Sequence, residues 1–150
     1  MEQRFKEIAT ANNLLVKVAP SPHEGIVDAL IISDFIPRET WHPVAKHAWG
    51  EIAHIHSDKD KSLHVVLSPR DCKIGEFHPS LKVVCKAVSD WCFSLVIERG
   101  WGERHPISGV IALPKEYLMI YAPMDDDEVE AVSRIIKASI AYMTNGREVV

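Results

Sequence analysis

The sequence has few cysteines, no long apolar run and no targeting segment that its composition reveals. The three cysteines, Cys72, Cys85 and Cys92, are odd in number and form no CxxC pair, which argues against a disulfide framework and favours reduced thiols in the cytosol. No apolar run approaches the ~18 residues of a membrane span, and residues 1–13 lack the apolar region of a signal peptide. We therefore expect a cytoplasmic protein with no membrane partner.

Charged residues make up an ordinary 25% of the chain and are mixed in sign. The formal net charge is −4, the isoelectric point is about 6.0, and no block of five like charges occurs, so we expect no nucleic-acid partner. The densest acidic run, residues 125–128, precedes an apolar pattern at helical spacing and is typical of a helix N-terminus. No repeat, low-complexity stretch or linker is found, which predicts a single domain over residues 1–150 of unknown oligomeric state.

The hydrophobic periodicity predicts an α+β fold. Apolar residues recur at helical spacing at both ends and in the middle of the chain. Strand-like apolar runs lie between these segments, and prolines end one of them. The predicted helices are 2–12, 80–99 and 126–143, and the predicted strands include 14–20, 26–35 and 117–123. Residues 36–49 are irregular or briefly helical, with Thr40 as a plausible cap. We expect an antiparallel or mixed sheet of about five strands packed with three or more helices.

The stretch GEIAHIHSDKDKSLHVVLSP, residues 50–69, contains three histidines and predicts a hairpin. If Ile55 pairs with Leu63, one side of the hairpin becomes entirely apolar. The same register places His54 opposite His64 and His56 opposite Ser62, so the three imidazoles share the other face. A one-residue slip would move His64 into the core, which is costly. The apolar pattern therefore predicts convergent histidines.

Three imidazoles on one sheet face suit two chemistries. They can ligate a divalent metal that keeps open positions, or they can act as acid/base groups that titrate near neutral pH. A solvent-facing strand that is merely rich in histidine is the alternative to a site. Strand alternation predicts that Glu51 points to the opposite face, and the turn aspartates lie too far along to orient His54 or His64. We therefore favour metal-free histidines, with a metal held by His54, His56 and His64 as the alternative.

A second group of polar residues lies in GWGERHP, residues 100–106. Pro106 restricts His105 to an extended backbone on a short connector after a predicted helix. Glu103 can accept a hydrogen bond from an imidazole or bind a metal, and Arg104 can hold an anionic oxygen by two-point contact. A capped, salt-bridged loop without a functional role is the alternative for this segment.

Five stretches together carry a resemblance to a known family. They are GEIAHIH (50–56), SLHVVLSPRD (62–71), GWGERHPISG (100–109), LPKEYLMIYAP (113–123) and the last helix with its acidic cap. They resemble the luciferase-domain family, which is named for the fungal luciferases of bioluminescent mushrooms and consists mostly of small proteins of unassigned activity. The chain departs from the family pattern by an insertion near 74–94, and the mushroom enzymes look longer and carry an N-terminal membrane segment.

The resemblance implies a pocket for a flat enolic, phenolic or pyrone-type molecule. The named members oxidise a hydroxylated α-pyrone with dioxygen, hold no organic cofactor tightly, and release carbon dioxide and light. Carried over residue by residue, it implies catalytic roles for His54, His56, His64, Arg104 and His105, and substrate contacts for Trp101, Glu103 and Tyr121. Trp101 is equally well explained as a buried anchor.

The sequence as a whole predicts a small-molecule enzyme. In the favoured version, an imidazole removes an enol or phenol proton, Arg104 stabilises the anion, and dioxygen is a co-substrate without any bound cofactor. One alternative is a cofactor-independent cyclase, isomerase or lyase of secondary metabolism that uses the same histidines. Another is a non-catalytic metal- or ligand-binding protein.

Overall fold

A computed structural model describes residues 1–56, 60–68, 96–97, 100–109 and 113–150 of the chain. The predicted insertion near 74–94 lies outside these residues. The predicted helix 80–99 also lies outside them, apart from residues 96–97, which are helical.

The described strands form one antiparallel sheet. Its order is β1-β2-β3-β4-β6-β5, and every neighbouring pair is antiparallel. The six strands are β1 (Val16–Pro20), β2 (Asp28–Ile32), β3 (Glu51–Ile55), β4 (Leu63–Val66), β5 (Gly102–Arg104) and β6 (Tyr117–Ile120). The α+β prediction is confirmed, with six strands in place of about five.

Helices cover one face of this sheet. Helices α1 (Glu2–Ala11) and α3 (Asp126–Met143) pack on the sheet and on each other, whereas α2 (Pro43–His47) follows a 3₁₀ turn at Arg38–Thr40. The bounds of α3 are those predicted, because Asp125 caps it by accepting from the Glu128 amide at 2.8 Å. The cap predicted at Thr40 is wrong, since the His42 side chain caps α2. Within the described residues, no helix combines the length and apolarity needed to cross a bilayer.

The predicted register of the histidine hairpin is confirmed. Ala53 pairs with Val65, His54 with His64, and Ile55 with Leu63. The row of Leu30, Ala53, Val65 and Leu118 is fully buried on the side of the helices. The opposite side of the sheet, which carries His54, His64 and Met119, is called the histidine face below.

A β-bulge interrupts β3 and reorients Glu51. Leu30 pairs with Ala53, but Ile31 pairs with Glu51, so Ile52 is an extra residue in β3. This extra residue turns Glu51 onto the histidine face, and the Ile52 carbonyl accepts from Ser139 Oγ of α3 at 3.3 Å. The prediction that Glu51 points away from the histidines is therefore wrong, because simple alternation assumes an unbroken strand.

The edge strand β5 lies unusually close to β6 at Gly102. A Cβ atom at this position would overlap the Met119 carbonyl oxygen and lie 2.9 Å from the Ile120 Cα. Both neighbours are backbone atoms, so only glycine permits this approach. The pairing continues one residue past β5, where the His105 amide donates to the Tyr117 carbonyl at 3.2 Å, and it brings His105 to the histidine face.

Candidate functional site

Four side chains converge on the histidine face. Glu24, His54, His56 and His64 each offer one nitrogen or oxygen atom, and these four atoms lie within 4.8 Å of one another. The Glu24 carboxylate lies 3.1 Å from Nε2 of His54, 3.1 Å from Nε2 of His56 and 3.4 Å from Nδ1 of His64. The two Nε2 atoms of His54 and His56 are 3.4 Å apart. We call these four residues the His–Glu cluster.

The loop between β1 and β2 supplies Glu24. Ser21 Oγ accepts from the amides of His23 (3.1 Å) and Glu24 (3.0 Å), which closes a serine turn at the start of the loop. The same hydroxyl donates to Glu51 Oε2 at 2.6 Å. One buried serine therefore ties the Glu24 loop to β3.

The tautomer of His54 follows from its contact with Glu51. Nδ1 of His54 lies 2.6 Å from Glu51 Oε1, and both side chains are buried, with 0% and 1% exposure. A carboxylate only accepts, so Nδ1 carries the hydrogen and donates it. Glu51 therefore fixes the orientation of the ring, which places Nε2 3.1 Å from the Glu24 carboxylate and 3.4 Å from Nε2 of His56.

His56 is oriented in a similar way by the turn before β4. The Ser62 hydroxyl donates its one hydrogen to Asp60 Oδ1 at 2.6 Å, so its oxygen is left to accept from Nδ1 of His56 at 3.3 Å. Hydrogen bonds from Ser62 also lower the pKa of Asp60, which keeps this carboxylate ionised. This contact orients the ring so that Nε2 of His56 lies 3.1 Å from the Glu24 carboxylate.

His64, Tyr117 and His105 continue the histidine face toward β5. The Tyr117 hydroxyl lies 3.3 Å from Nδ1 of His64, and the His105 ring centroid lies 4.6 Å from that of His64 and 5.3 Å from that of Tyr117. Burial, reinforced by the neighbouring imidazoles, lowers the pKa of His64 to about 3. Burial also lowers the pKa of His105 and, together with Glu51, raises that of Tyr117. At neutral pH these rings are neutral imidazoles beside a protonated phenol.

Glu24 is the charged member of the cluster. Partial burial raises the pKa of its carboxyl, but the neighbouring His54, His56 and His64 outweigh this effect and lower it. Its side chain is 33% exposed, which places the carboxylate at the boundary between the buried rings and solvent. The cluster is thus an ionised carboxylate surrounded by imidazole nitrogens.

The remaining residues of GWGERHP lie farther from the cluster. Glu103 pairs with Met119 across β5 and β6, in the same row as His64, so Met119 lies between Glu103 and His64. Arg104 pairs with Leu118, whose row faces the helices, and its Nη1 donates to the Lys115 carbonyl at 3.5 Å. The sequence predicts that Arg104 approaches the histidines. The observed register places it on the other side of the sheet, because neighbouring residues of a strand face opposite sides and Glu103 is in the row of His64.

The two aromatic residues chosen as substrate contacts also lie apart from the cluster. Trp101 packs against the hydrophobic core, as the anchor alternative expects. Tyr121 follows β6, is 46% exposed, and donates its amide to the Trp101 carbonyl at 2.9 Å. Their substrate-binding roles, the same role for Glu103 and the catalytic role of Arg104 stay predictions.

Sequence reasoning missed several residues that contact the histidines. Glu24 and Ser21 reach the site only because the β1–β2 connection folds over the histidine face, which no local pattern indicates. Tyr117 lies in LPKEYLMIYAP, and its position follows once β6 is paired with β4, since Tyr117 lies two residues from the partner of His64. Strand alternation assigns Glu51, one of the acidic residues close to the histidines in sequence, to the wrong face.

The low pKa of His64 predicts that the protein becomes less stable as the pH falls. The measurement is made in the presence of a chelator, so that no bound metal contributes to stability. Unfolded histidine binds a proton below about pH 6.5, whereas folded His64 does so only near pH 3. The unfolded state therefore binds more protons in this window, and the free energy of unfolding falls as the pH falls. We expect a loss of about 2 kcal/mol between pH 7 and pH 5 in urea unfolding. His64→Gln should flatten this profile, whereas exposed His47→Gln should keep it; equal slopes in all three proteins would contradict the prediction.

The fold and the site define an α+β protein with a partly buried His–Glu cluster on an antiparallel sheet. A model of the family described as Luciferase domain matches residues 49–79 and 92–139, which contain the three histidines and His105. The chain belongs to this family. The predicted insertion near 74–94 overlaps the unmatched residues 80–91 and stays a prediction.

Curated relatives from fungi carry the name luciferase. The luciferases of Armillaria mellea and Armillaria gallica are each 36% identical to the chain over 106 residues, and that of Neonothopanus nambi is 34% identical over the same length. Each alignment covers 69% of this chain and 32% of the relative, so the chain spans about a third of the length of the relatives it matches. No solved structure matches the chain.

Proposed function

We propose that the protein is an enzyme that acts on a small enolic, phenolic or pyrone-type metabolite at the histidine face. The observation that carries the proposal is the His–Glu cluster itself, with neutral His105 and protonated Tyr117 beside it. Titratable groups whose pKa values are shifted by burial and that meet at one place are typical of catalytic sites. Membership of a family with luciferases as relatives supports a substrate of this class.

His105 is the group best suited to remove the substrate proton. Its ring is only partly buried, and its lowered pKa keeps it neutral and able to accept a proton at physiological pH. Pro106 restricts the backbone of His105, so the ring is held against His64. The Tyr117 hydroxyl, which stays protonated, lies 3.3 Å from Nδ1 of His64 and helps to fix the ring that His105 packs against.

Oxygenation is the proposed reaction after deprotonation. The electron-rich carbon of the enolate gives two electrons to dioxygen, a carbon–oxygen bond forms, and the peroxide oxygen takes the proton that His105 removed. The net change joins one substrate molecule and one dioxygen into a hydroperoxide, so no redox cofactor is needed. The same first step begins an isomerisation or a ring closure when dioxygen takes no part.

Oxygen uptake with hydroxy-α-pyrones and related enols tests the proposed reaction. We expect dioxygen consumption equal to substrate loss with the wild-type chain and with His47→Gln, whose exposed histidine lies outside the site. Substrate loss without oxygen uptake would assign the isomerase or lyase class to the same site. If no compound in the series is consumed or bound, the enzymatic proposal is contradicted.

A further inference from the structure

We propose that the His–Glu cluster binds a divalent first-row transition metal through His54, His56, His64 and Glu24. Imidazole nitrogens suit zinc, iron, copper and nickel, and a carboxylate commonly completes such a set. Neither Glu24 nor the orientation of the rings is predictable from the hairpin, so the proposal rests on the three-dimensional arrangement. It does not require the proposed oxygenation.

The spacing of the four atoms fits one metal ion. Metal–nitrogen and metal–oxygen bonds of about 2.0–2.2 Å place neighbouring ligands about 3.3–3.6 Å apart in a tetrahedron and about 2.8–3.1 Å apart in an octahedron. The Glu24 carboxylate lies 3.1–3.4 Å from the three nitrogens, and the Nε2 atoms of His54 and His56 lie 3.4 Å apart. These four distances match the edges of a coordination polyhedron, and all four ligand atoms lie within 4.8 Å of one another.

The hydrogen bonds leave acceptors facing acceptors. His54 and His56 both direct their Nδ1 hydrogens outside the cluster, to Glu51 and Ser62, so in the neutral rings both Nε2 lone pairs face the Glu24 carboxylate. Three acceptors at 3.1–3.4 Å repel one another unless a positive charge lies between them. A metal ion supplies that charge, and the alternative is a second proton on buried His54 or on His56, whose side chain is 13% exposed.

The groups behind the rings match those that support metal ligands. A ligating histidine usually donates its other ring hydrogen to a carboxylate, which fixes the ring and strengthens the ligand. His54 donates to Glu51, which Ser21 holds in turn, and His56 donates to Ser62, which is bonded to Asp60. Two of the three histidines thus carry this support.

Cobalt(II) titration of the full chain, purified without a histidine tag and stripped with chelator, tests the proposal. We expect one cobalt per chain with visible d–d absorption, displaced by zinc, and no thiolate-to-cobalt charge-transfer band in the near ultraviolet. The last feature separates the cluster from binding to Cys72, Cys85 or Cys92. Elemental analysis of protein purified without chelator should also find near-stoichiometric metal.

Two variants and a control assign the ligands. Glu24→Gln should weaken cobalt binding about tenfold or more, and Glu51→Gln should weaken it about 10–100-fold through His54, whereas His47→Gln should bind as the wild type does. Glu24 is partly exposed and outside the core, so its variant should fold normally, which urea unfolding checks.

Absence of cobalt binding, binding with a thiolate band only, or equal affinity in Glu24→Gln and the wild type would overturn the proposal. Because metal content is measured without substrate, these outcomes are independent of whether the enzyme consumes oxygen.

Discussion

Replacing Glu51 by leucine is expected to lower the free energy of unfolding by about 3 kcal/mol. The two carboxylate oxygens accept from Nδ1 of His54 and from Ser21 Oγ, both at 2.6 Å, in a site with 1% exposure. Leucine fills a similar space but leaves both buried donors unpaired, and each costs about 1–3 kcal/mol. The Glu24 loop should loosen as well, because Ser21 closes its turn.

Urea unfolding in the presence of chelator measures this effect without a contribution from bound metal. Glu51→Gln is the matched control, since its carbonyl oxygen still accepts from one donor and its shape is nearly unchanged. We expect the glutamine variant to lose less than half as much free energy of unfolding as the leucine variant. A leucine variant within about 0.5 kcal/mol of the wild type would show that the buried contacts of Glu51 stabilise little.

The second large effect is on catalysis. Once a substrate has been identified by oxygen uptake, His56→Ala should lower kcat/KM about 10²–10³-fold, as the loss of a positioned acid/base or ligand group does. His56 is a clean target because its side chain is 13% exposed, so its removal disturbs the core less than removal of fully buried His54.

We compare kcat/KM of His56→Ala and His47→Gln with that of the wild type by steady-state kinetics. Unfolding curves of both variants check that they fold normally. Exposed His47 lies at the end of α2, and its variant should match the wild type within about twofold. A His56→Ala variant that folds normally and keeps wild-type kcat/KM would show that the His–Glu cluster takes no part in the reaction.

The parts of the structure that sequence predicts best are those with strong periodic patterns. The apolar side of the hairpin allows only one register, so the pairing of His54 with His64 follows from the sequence alone. The last helix is equally well determined, because Asp125 caps it and Asn145 and Gly146, both at positive φ, end it. In these segments local propensity and burial favour the same structure.

The errors arise where the backbone departs from a regular pattern. Alternation assigns Glu51 to the wrong face because one extra residue, Ile52, enters β3, and bulges leave little trace in a single sequence. The preference for metal-free histidines depended on the lack of a nearby carboxylate, and that premise is wrong, since Glu51 and Glu24 both contact His54. Glu24 reaches the histidines through a loop, whose path depends on long-range contacts.

Arg104 and His105 show that the side of the sheet on which a residue lies cannot be predicted when the strand pairing is unknown. Both lie on one connector, yet the pairing of β5 with β6 places Arg104 in the row of Leu118 and His105 on the histidine face. The register depends on the close approach of Gly102 to β6, which is visible only in three dimensions.

A crystal structure of the protein with a bound hydroxy-α-pyrone, chosen as a substrate or a competitive inhibitor, tests the central claim most directly. The account predicts that the acidic oxygen of the ligand lies within about 3.2 Å of His105, Tyr117 or the His–Glu cluster, and that the ring lies on the histidine face. A ligand bound on the helical side, between α1 and α3, with the histidine face untouched, would contradict it.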